Sequence, residues 1–273
     1  MTDPTLPPLP SLPALPPLPA MGPVTRRVPP AGARREWQDA EVVAVRDETA
    51  HARTVRLHLP PGAETHVPGQ HYVVRMPRED GSWAQRSYSA ASAPDGPAER
   101  AAGPHVELTV ERIDDGELSP ALHGVTVGDR LSVRGPFGGW FVWRGDVPAL
   151  LVGGGSGVVP LAAMLRHRRR GGLATPLHLV VSVRGPQDLF YADELAGAPE
   201  VTVVHTRVAP PGSARPPGHL SAADLRPVLA SFADGGPTCY VCGSTGFAEH
   251  AGQLLVELGV PSGDVRVERF GPS

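Results

Sequence analysis

From Trp37 to Trp143 the chain alternates apolar and polar positions in short runs, at residues 42–46, 54–59, 71–76, 87–91, 106–113 and 130–134. Pro-Pro-Gly, Pro-Gly, Glu-Asp-Gly and Asp-Asp-Gly separate several of them. A period of two bounded by turn residues marks half-buried strands. Six such strands with no long helix between them predict an antiparallel barrel. From Pro148 the rhythm changes. Apolar runs at 149–152, 177–183, 201–207, 239–242 and 265–270 predict buried strands, and the stretches 160–170, 188–195, 221–229 and 246–258 carry helical patterns between them. Strands alternating with helices give a parallel sheet covered on both faces. The predicted architecture is therefore two-domain, with an antiparallel β-barrel over 36–145 followed by an α/β parallel-sheet domain over 146–273. Eleven of the first thirty residues are Pro, which favours extended polyproline II and denies the segment ladder hydrogen bonds, so residues 1–35 are expected to form a disordered Pro-rich tail.

Composition narrows the chemistry. The net charge of −3 gives no reason to expect a nucleic-acid partner or a polybasic membrane surface. All 25 basic residues are Arg, which excludes a Schiff-base lysine and a phosphate-loop lysine from this chain. An iron–sulfur cluster takes four cysteine ligands, whereas only Cys239 and Cys242 are present. A strand through them points their side chains to opposite faces, against a redox dithiol. The eleven histidines are scattered, without ligand spacing, and no metal site is expected. No apolar run is long enough to span a bilayer and no basic leader precedes an apolar stretch, so the expected location is the cytoplasm.

The candidate chemistry lies in short motifs. Gly153-Gly154-Gly155-Ser156-Gly157 joins the first α/β strand to its helix, where glycines let the backbone approach a pyrophosphate and the helix start offers free N–H groups. Pro160 suits the first helical turn. The strict G-x-G-x-x-G spacing is not met. In the barrel half, Arg86-Ser87-Tyr88-Ser89 combines a phosphate-binding guanidinium, a flat stacking ring and short hydroxyls. Gly116-Glu117-Leu118-Ser119, the run Gly135-Pro136-Phe137-Gly138-Gly139-Trp140-Phe141, and Cys242-Gly243 complete the set.

Five such motifs, in this order and at this spacing over residues 37–270, resemble the ferredoxin–NADP⁺ reductase family. The resemblance implies that Arg86 binds the flavin pyrophosphate, Tyr88 packs on the isoalloxazine and Ser89 hydrogen-bonds near its N5. Gly116 and Ser119, at the start of a short helix, would hold phosphate as well, and Gly135 to Gly138 would turn the chain toward the domain interface. Arg-x-Tyr-Ser in the family often continues Ile-Ala-Ser. Here Ala90-Ala91-Ser92 follows, and this form together with Ser119 favours FAD over FMN. Gly153, Gly155 and Gly157 would cradle the NAD(P)H pyrophosphate, with Cys242 and Gly243 near the nicotinamide. Glu268 and Phe270 resemble the acidic residue and terminal aromatic beside the flavin, with three residues following Phe270. Ser89, Cys242 and Glu268 are thus the implied catalytic set. Thr206-Arg207 stands where plant-type members of the family place a Ser-Arg pair for the NADP 2′-phosphate, a resemblance that favours NADPH over NADH, with Arg184 and Arg215 as further aids.

The implied activity is hydride transfer from NADPH or NADH to FAD, then electron delivery to a separate carrier: a ferredoxin, a flavodoxin or a partner oxidoreductase subunit. Two other readings stand beside it. One is a free-flavin reductase or oxygen-reducing NAD(P)H oxidase. The other is a non-catalytic regulatory subunit that kept the fold.

Overall fold

The computed structural model describes residues 36–78, 80–232 and 235–270; the Pro-rich segment 1–35 lies outside them. The first half is a six-stranded antiparallel sheet of β1 (Gln38–Thr49), β2 (Ala52–His58), β3 (His71–Pro77), β4 (Trp83–Ser89), β5 (His105–Glu111) and β6 (Arg130–Phe137), ordered β4-β3-β6-β1-β2-β5. Its two edges meet through an Ala90–Leu108 bridge and the Ala91 N–H donating to the Glu107 carbonyl at 2.7 Å, which closes the barrel. Inward positions such as Val42, Val55, Leu57, Tyr72, Val74, Val106, Leu108 and Val133 form its core.

The second half is a five-stranded parallel sheet, β7 (Ala149–Gly154), β8 (Leu177–Val183), β9 (Val201–His205), β10 (Thr238–Ser244) and β11 (Val265–Phe270), ordered β11-β10-β7-β8-β9. α3 (Val158–Gly171) packs on one face, while α5 (Ala222–Ala230) and α6 (Thr245–Glu257) cover the other. The α3-side core also takes in Ala52, Ala91, Phe141 and Trp143 from the first half, so this cluster spans both halves while the barrel keeps a core of its own. Polar ties reinforce it. Arg166 of α3 donates to the Ala91 carbonyl at 2.8 Å and pairs with Glu194 at 2.7 Å, and Arg170 bridges Asp95 and Glu99.

The expected strands and helices are present, with adjusted limits. β1 runs to 12 residues because bulges at Val42/Ala44 and Asp47/Thr49 interrupt its alternation without ending its pairing. The helix expected over 188–195 is replaced by one 3₁₀ turn and the four-residue α4 (Ala192–Leu195). The cause is Tyr191, at φ 57°, whose buried ring lies under the Arg166 guanidinium and whose hydroxyl bonds Thr109 across the domain seam. The strand expected over 201–207 ends at His205, and two further short helices, α1 (Pro97–Ala102) and α2 (Leu118–His123), fill connections of the barrel half. Among the described residues, no helix is long and apolar enough to cross a membrane and no group of His, Cys, Asp and Glu is arranged to hold a metal.

Candidate active site at the domain seam

β4 stands at one end of the strand order, and its period of two puts Arg86 and Tyr88 on one face. Arg86 is exposed and, among the described residues, its guanidinium donates only to the neighbouring Gln85 carbonyl, at 3.0 Å, which leaves donors available for an anion. Tyr88 packs against the barrel core, and that burial pushes its hydroxyl up to about 12, so it remains a neutral donor. Ser89 is buried. Beside this strand, Glu117 at the start of α2 is held below the usual carboxylate range by its hydrogen bond from Arg78 and by the charge of Arg86. α2 packs against β4, which brings the turn before that helix toward the strand that carries Arg86.

Ser119 itself serves that turn. Its Oγ accepts from the Ile113 N–H at 3.0 Å and donates to the Ile113 carbonyl at 3.3 Å. Gly116 packs over the same groups, where a Cβ would stand 3.2 Å from the Ser119 Oγ.

The parallel sheet reverses its winding between β7 and β10, because β8 and β9 extend on one side of β7 and the chain then returns to its other side. The carboxyl ends of strands at such a switch point form the crevice in which α/β sheets bind ligands. Gly153 to Gly157 and Cys242-Gly243 lie there. Each glycine has its own reason. Gly155 is exposed at φ 53° with open space around it. Gly157 lies so close to β10 that a Cβ would stand 2.1 Å from the Cys242 carbonyl oxygen, and a Cβ on Gly153 would meet Val158 and Leu161 of α3. Gly154 and Gly243 together accept the Phe247 ring, which a Cβ would meet at 2.5 and 2.7 Å. Phe247 is absent from the sequence motifs; its signal was an aromatic four residues after the Cys-Gly pair.

Cys242 and Glu268 are register partners on β10 and β11, and Tyr240 and Arg266 are the partners two positions earlier on the same face. That face receives the barrel's connection. The Tyr240 hydroxyl donates to the Val142 carbonyl at 3.0 Å, Arg266 donates to the Trp140 and Val142 carbonyls at 3.1 Å, and Phe141 meets the Tyr240 ring edge-on at 5.5 Å. Following Ser89, Ala90 enters the barrel core and Ala91 enters the core that contains Cys242, against which Phe270 packs. The Arg-x-Tyr-Ser strand thus continues through Ala91 into the large apolar cluster that also takes in Cys242.

The electrostatics differ between the two register partners. Burial, reinforced by Glu268, holds the Cys242 thiol well above its ordinary value, so it is a neutral thiol at physiological pH. Burial raises Glu268 from 4.5 to about 7, and its Oε2 is buried without a hydrogen-bond partner among the described residues. Cys239 points into the opposite core, so the two cysteines do not form a dithiol.

Thr206 and Arg207 follow β9, their N–H groups donating to the Val183 and Arg184 carbonyls at 2.8 and 2.9 Å. This places exposed Arg184 and Arg207 side by side at the carboxyl ends of β8 and β9. Arg215 is instead committed to its own loop, paired with Asp224 and donating to the His219 carbonyl at 2.9 Å.

Comparison with known proteins agrees with this layout. Residues 39–142 match the oxidoreductase FAD-binding domain and residues 151–253 the oxidoreductase NAD-binding domain. Ferredoxin–NADP reductase B of Sorangium cellulosum is 32% identical over 246 residues, covering 85% of this chain and 97% of that protein. The reductase component of propane 2-monooxygenase from Rhodococcus jostii is 29% identical over 249 residues; the chain spans 64% of its length. Among solved structures, the flavohem-like FAD/NAD-binding domain of nitric oxide dioxygenase from Vibrio cholerae shares the fold, with a TM-score of 0.73 at 22% identity over 87% of this chain and all of that one.

Proposed function

Because this chain belongs to the ferredoxin–NADP reductase family, we propose that it takes reducing equivalents from NADPH and delivers them, through FAD, to a separate electron carrier. The observation that carries this reading is the shared face of β10 and β11, on which Cys242 and Glu268 sit beside the docked barrel connection. In this reading residues 36–145 hold the flavin and 146–273 the nicotinamide cofactor, a division supported by the two matched ranges. The residues present suit both groups: an exposed guanidinium and a partly buried ring on one strand face, and at the switch point a glycine turn in which Gly157 is closely packed and Gly155 stands open at φ 53°.

Bound together, the two cofactors would supply hydride transfer from the nicotinamide to the flavin; the protein supplies position and exclusion of water. Arg86 binds the flavin pyrophosphate and Tyr88 supports the ring system. Gly155 and Gly157 admit the nicotinamide pyrophosphate, and Arg207, aided by Arg184, binds the 2′-phosphate. Gly116 and Ser119 act by shaping the turn beside Arg86. Cys242 and Gly243 provide a small neutral wall, while Ser89 and Phe270 border the flavin. Glu268 is the group at this end of the sheet able to hold and release a proton near neutral pH. The reducing chemistry and the two free thiols suit a cytoplasmic setting.

The two cysteines among these 273 residues are too few to ligate an iron–sulfur cluster, which supports a next carrier outside them. A ferredoxin, a flavodoxin or an oxygenase partner has the required one-electron chemistry, and the matched Rhodococcus jostii protein is a reductase component of such a system. NADPH-driven reduction of an added ferredoxin tests this directly. Turnover confined to free flavin or to oxygen would contradict it.

Two substitutions separate the cofactor roles. Arg86→Ala removes charge-assisted bonds to a phosphate, each worth about 1.5–3 kcal/mol, so FAD affinity measured by fluorescence should fall roughly 10- to 100-fold. Arg207→Ala should raise the KM for NADPH by a similar factor of about ten or more while leaving that for NADH nearly unchanged. Equal effects on both coenzymes would remove Arg207 from the 2′-phosphate site.

A further inference from the structure

Among the described residues, Tyr191 is the one non-glycine residue with a positive φ, at 57°. A bulky residue keeps that backbone only where its surroundings enforce it, and such positions gather where function needs a fixed geometry. The enforcement comes from two sides. The buried ring lies under the Arg166 guanidinium at 4.3 Å. The hydroxyl heads a chain of hydrogen bonds through the barrel: Tyr191 to Thr109 at 2.5 Å, Thr109 to Thr54 at 2.7 Å, and Thr54 to the Glu48 Oε1 at 2.5 Å. The direction of the chain follows from its end. The Glu48 carboxylate, paired with Arg46, only accepts, so Thr54 donates to it. Thr54 must then accept from Thr109, and Thr109 from Tyr191. The Glu48 Oε2 also receives the Tyr191 N–H at 3.3 Å, which ties β1, β2 and β5 to the residue before α4.

The Tyr191–Thr109 bond joins the two segments that carry the cofactor ligands assigned above. Thr109 follows Leu108 of β5, which bridges Ala90, the residue after Ser89. Tyr191 is the last residue of the connection from β8 to α4, which begins at Arg184. Within that connection Leu189 and Phe190 are buried in the cluster that takes in Cys242. Arg166 repeats the link, since it covers the Tyr191 ring, pairs with Glu194 and donates to the Ala91 carbonyl at 2.8 Å. The continuation of the Arg86–Ser89 strand and the loop that starts at Arg184 are therefore fastened at one buried point.

We propose that Tyr191 is a positioning residue for the hydride step: through Thr109 and Arg166 it fixes the nicotinamide-binding half against the strand that carries the flavin ligands. The proposal rests on the cofactor assignment made under the proposed function. Hydride transfer tolerates little error in the approach of two rings, and a misplacement of about 1 Å can cost roughly 100-fold in rate. Tyr191 acts through the two segments and not on a cofactor.

Tyr191→Phe removes the hydroxyl and leaves a ring under Arg166. Rapid mixing of FAD-loaded protein with increasing NADPH separates coenzyme affinity from the limiting rate of flavin reduction. The limiting rate should fall about tenfold while the NADPH dissociation constant stays within about twofold of the native value. Thr109→Val should give the same loss and the double variant no more than either, because one bond is lost in all three. Thr109→Ser, which keeps the hydroxyl, should restore the native rate. A second readout needs no cofactor. Backbone amides over 186–195 in the protein as purified should exchange hydrogen about tenfold faster in Tyr191→Phe, with β7 and β10 unaltered. A native limiting rate in Tyr191→Phe, a loss expressed in NADPH affinity alone, a further loss in the double variant, or unaltered exchange over 186–195 would overturn the proposal while the cofactor assignment stands. A native protein whose flavin neither NADPH nor NADH reduces would overturn that assignment and the proposal with it.

Discussion

Gly157→Ala is expected to destabilise the protein by about 3 kcal/mol or more and to abolish productive nicotinamide binding while FAD binding survives. The new Cβ would stand 2.1 Å from the Cys242 carbonyl oxygen and 2.6 Å from the Gly243 nitrogen. Both are backbone atoms of β10, a strand paired with neighbours on each side, so neither can turn away as a flexible side chain would. Relief requires the start of α3 and the end of β10 to separate, which opens the packed interior around Val158 and Cys242. A loss of about 3 kcal/mol corresponds to a fall of roughly 6–12 °C in melting temperature for a domain of this size. Thermal denaturation checks the stability, and fluorescence titration with FAD and NADPH checks the binding. Gly155→Ala is the control. Gly155 has open space around it but φ 53°, so the cost there is backbone strain of about 1–2 kcal/mol without displacement of β10. Equal destabilisation by the two substitutions would refute the close-approach explanation.

Glu268→Gln is expected to act in the opposite direction on stability. Burial lifts the folded-state pKa of Glu268 from 4.5 to about 7. The folded protein therefore holds this proton more tightly than the unfolded chain does, and the associated stability is fully present below about pH 4.5 and is lost as pH rises through about 7. The difference corresponds to about 3 kcal/mol at alkaline pH. Glutamine keeps the shape without the charge, so the variant should exceed the native protein by up to about 3 kcal/mol at pH 8, with the gain shrinking to about 1 kcal/mol at pH 5. Urea denaturation of the cofactor-free protein at the two pH values measures this. The same substitution should remove a transition near pH 7 from the pH profile of kcat, since the proton-holding group is gone. A gain that is independent of pH would mean that Glu268 is ionised throughout.

Much of this arrangement could be read from residue order, and the parts that could not share a physical cause. Strand positions followed from alternation because one face of each barrel strand is buried, and Gly153 to Gly157 stood out because glycine alone suits close backbone approach. What escaped were contacts between segments distant in sequence. The pattern over 188–195 reads as helical, but Tyr191 adopts φ 57° to reach Thr109, 82 residues earlier in the chain. Arg215 has the composition of a phosphate ligand, yet Asp224 and nearby carbonyls already engage it. The Ser119 hydroxyl closes its turn with Ile113, six residues earlier, a contact that the motif alone does not announce. Arg75 of β3 lies between the Trp83 ring of β4 and the Trp37 ring just before β1, at 4.1 and 4.0 Å, a stack that no local pattern announces. Glu268 was identified by its resemblance to a family position, but its affinity for a proton depends on the desolvation that β10 and the barrel impose, which only the packed structure reveals.

Cofactors bound to the two halves can react if the Arg86–Ser89 strand and the Cys242–Glu268 face meet at one seam. Anaerobic rapid mixing of the FAD-loaded protein with NADPH addresses it most directly. Fast, saturable bleaching of the flavin absorbance is the expected result, with the bleaching strongly slowed in Gly157→Ala at full flavin occupancy. Flavin that stays oxidised with both NADPH and NADH, yet is readily reduced by a small chemical reductant, would show that the two sites do not meet.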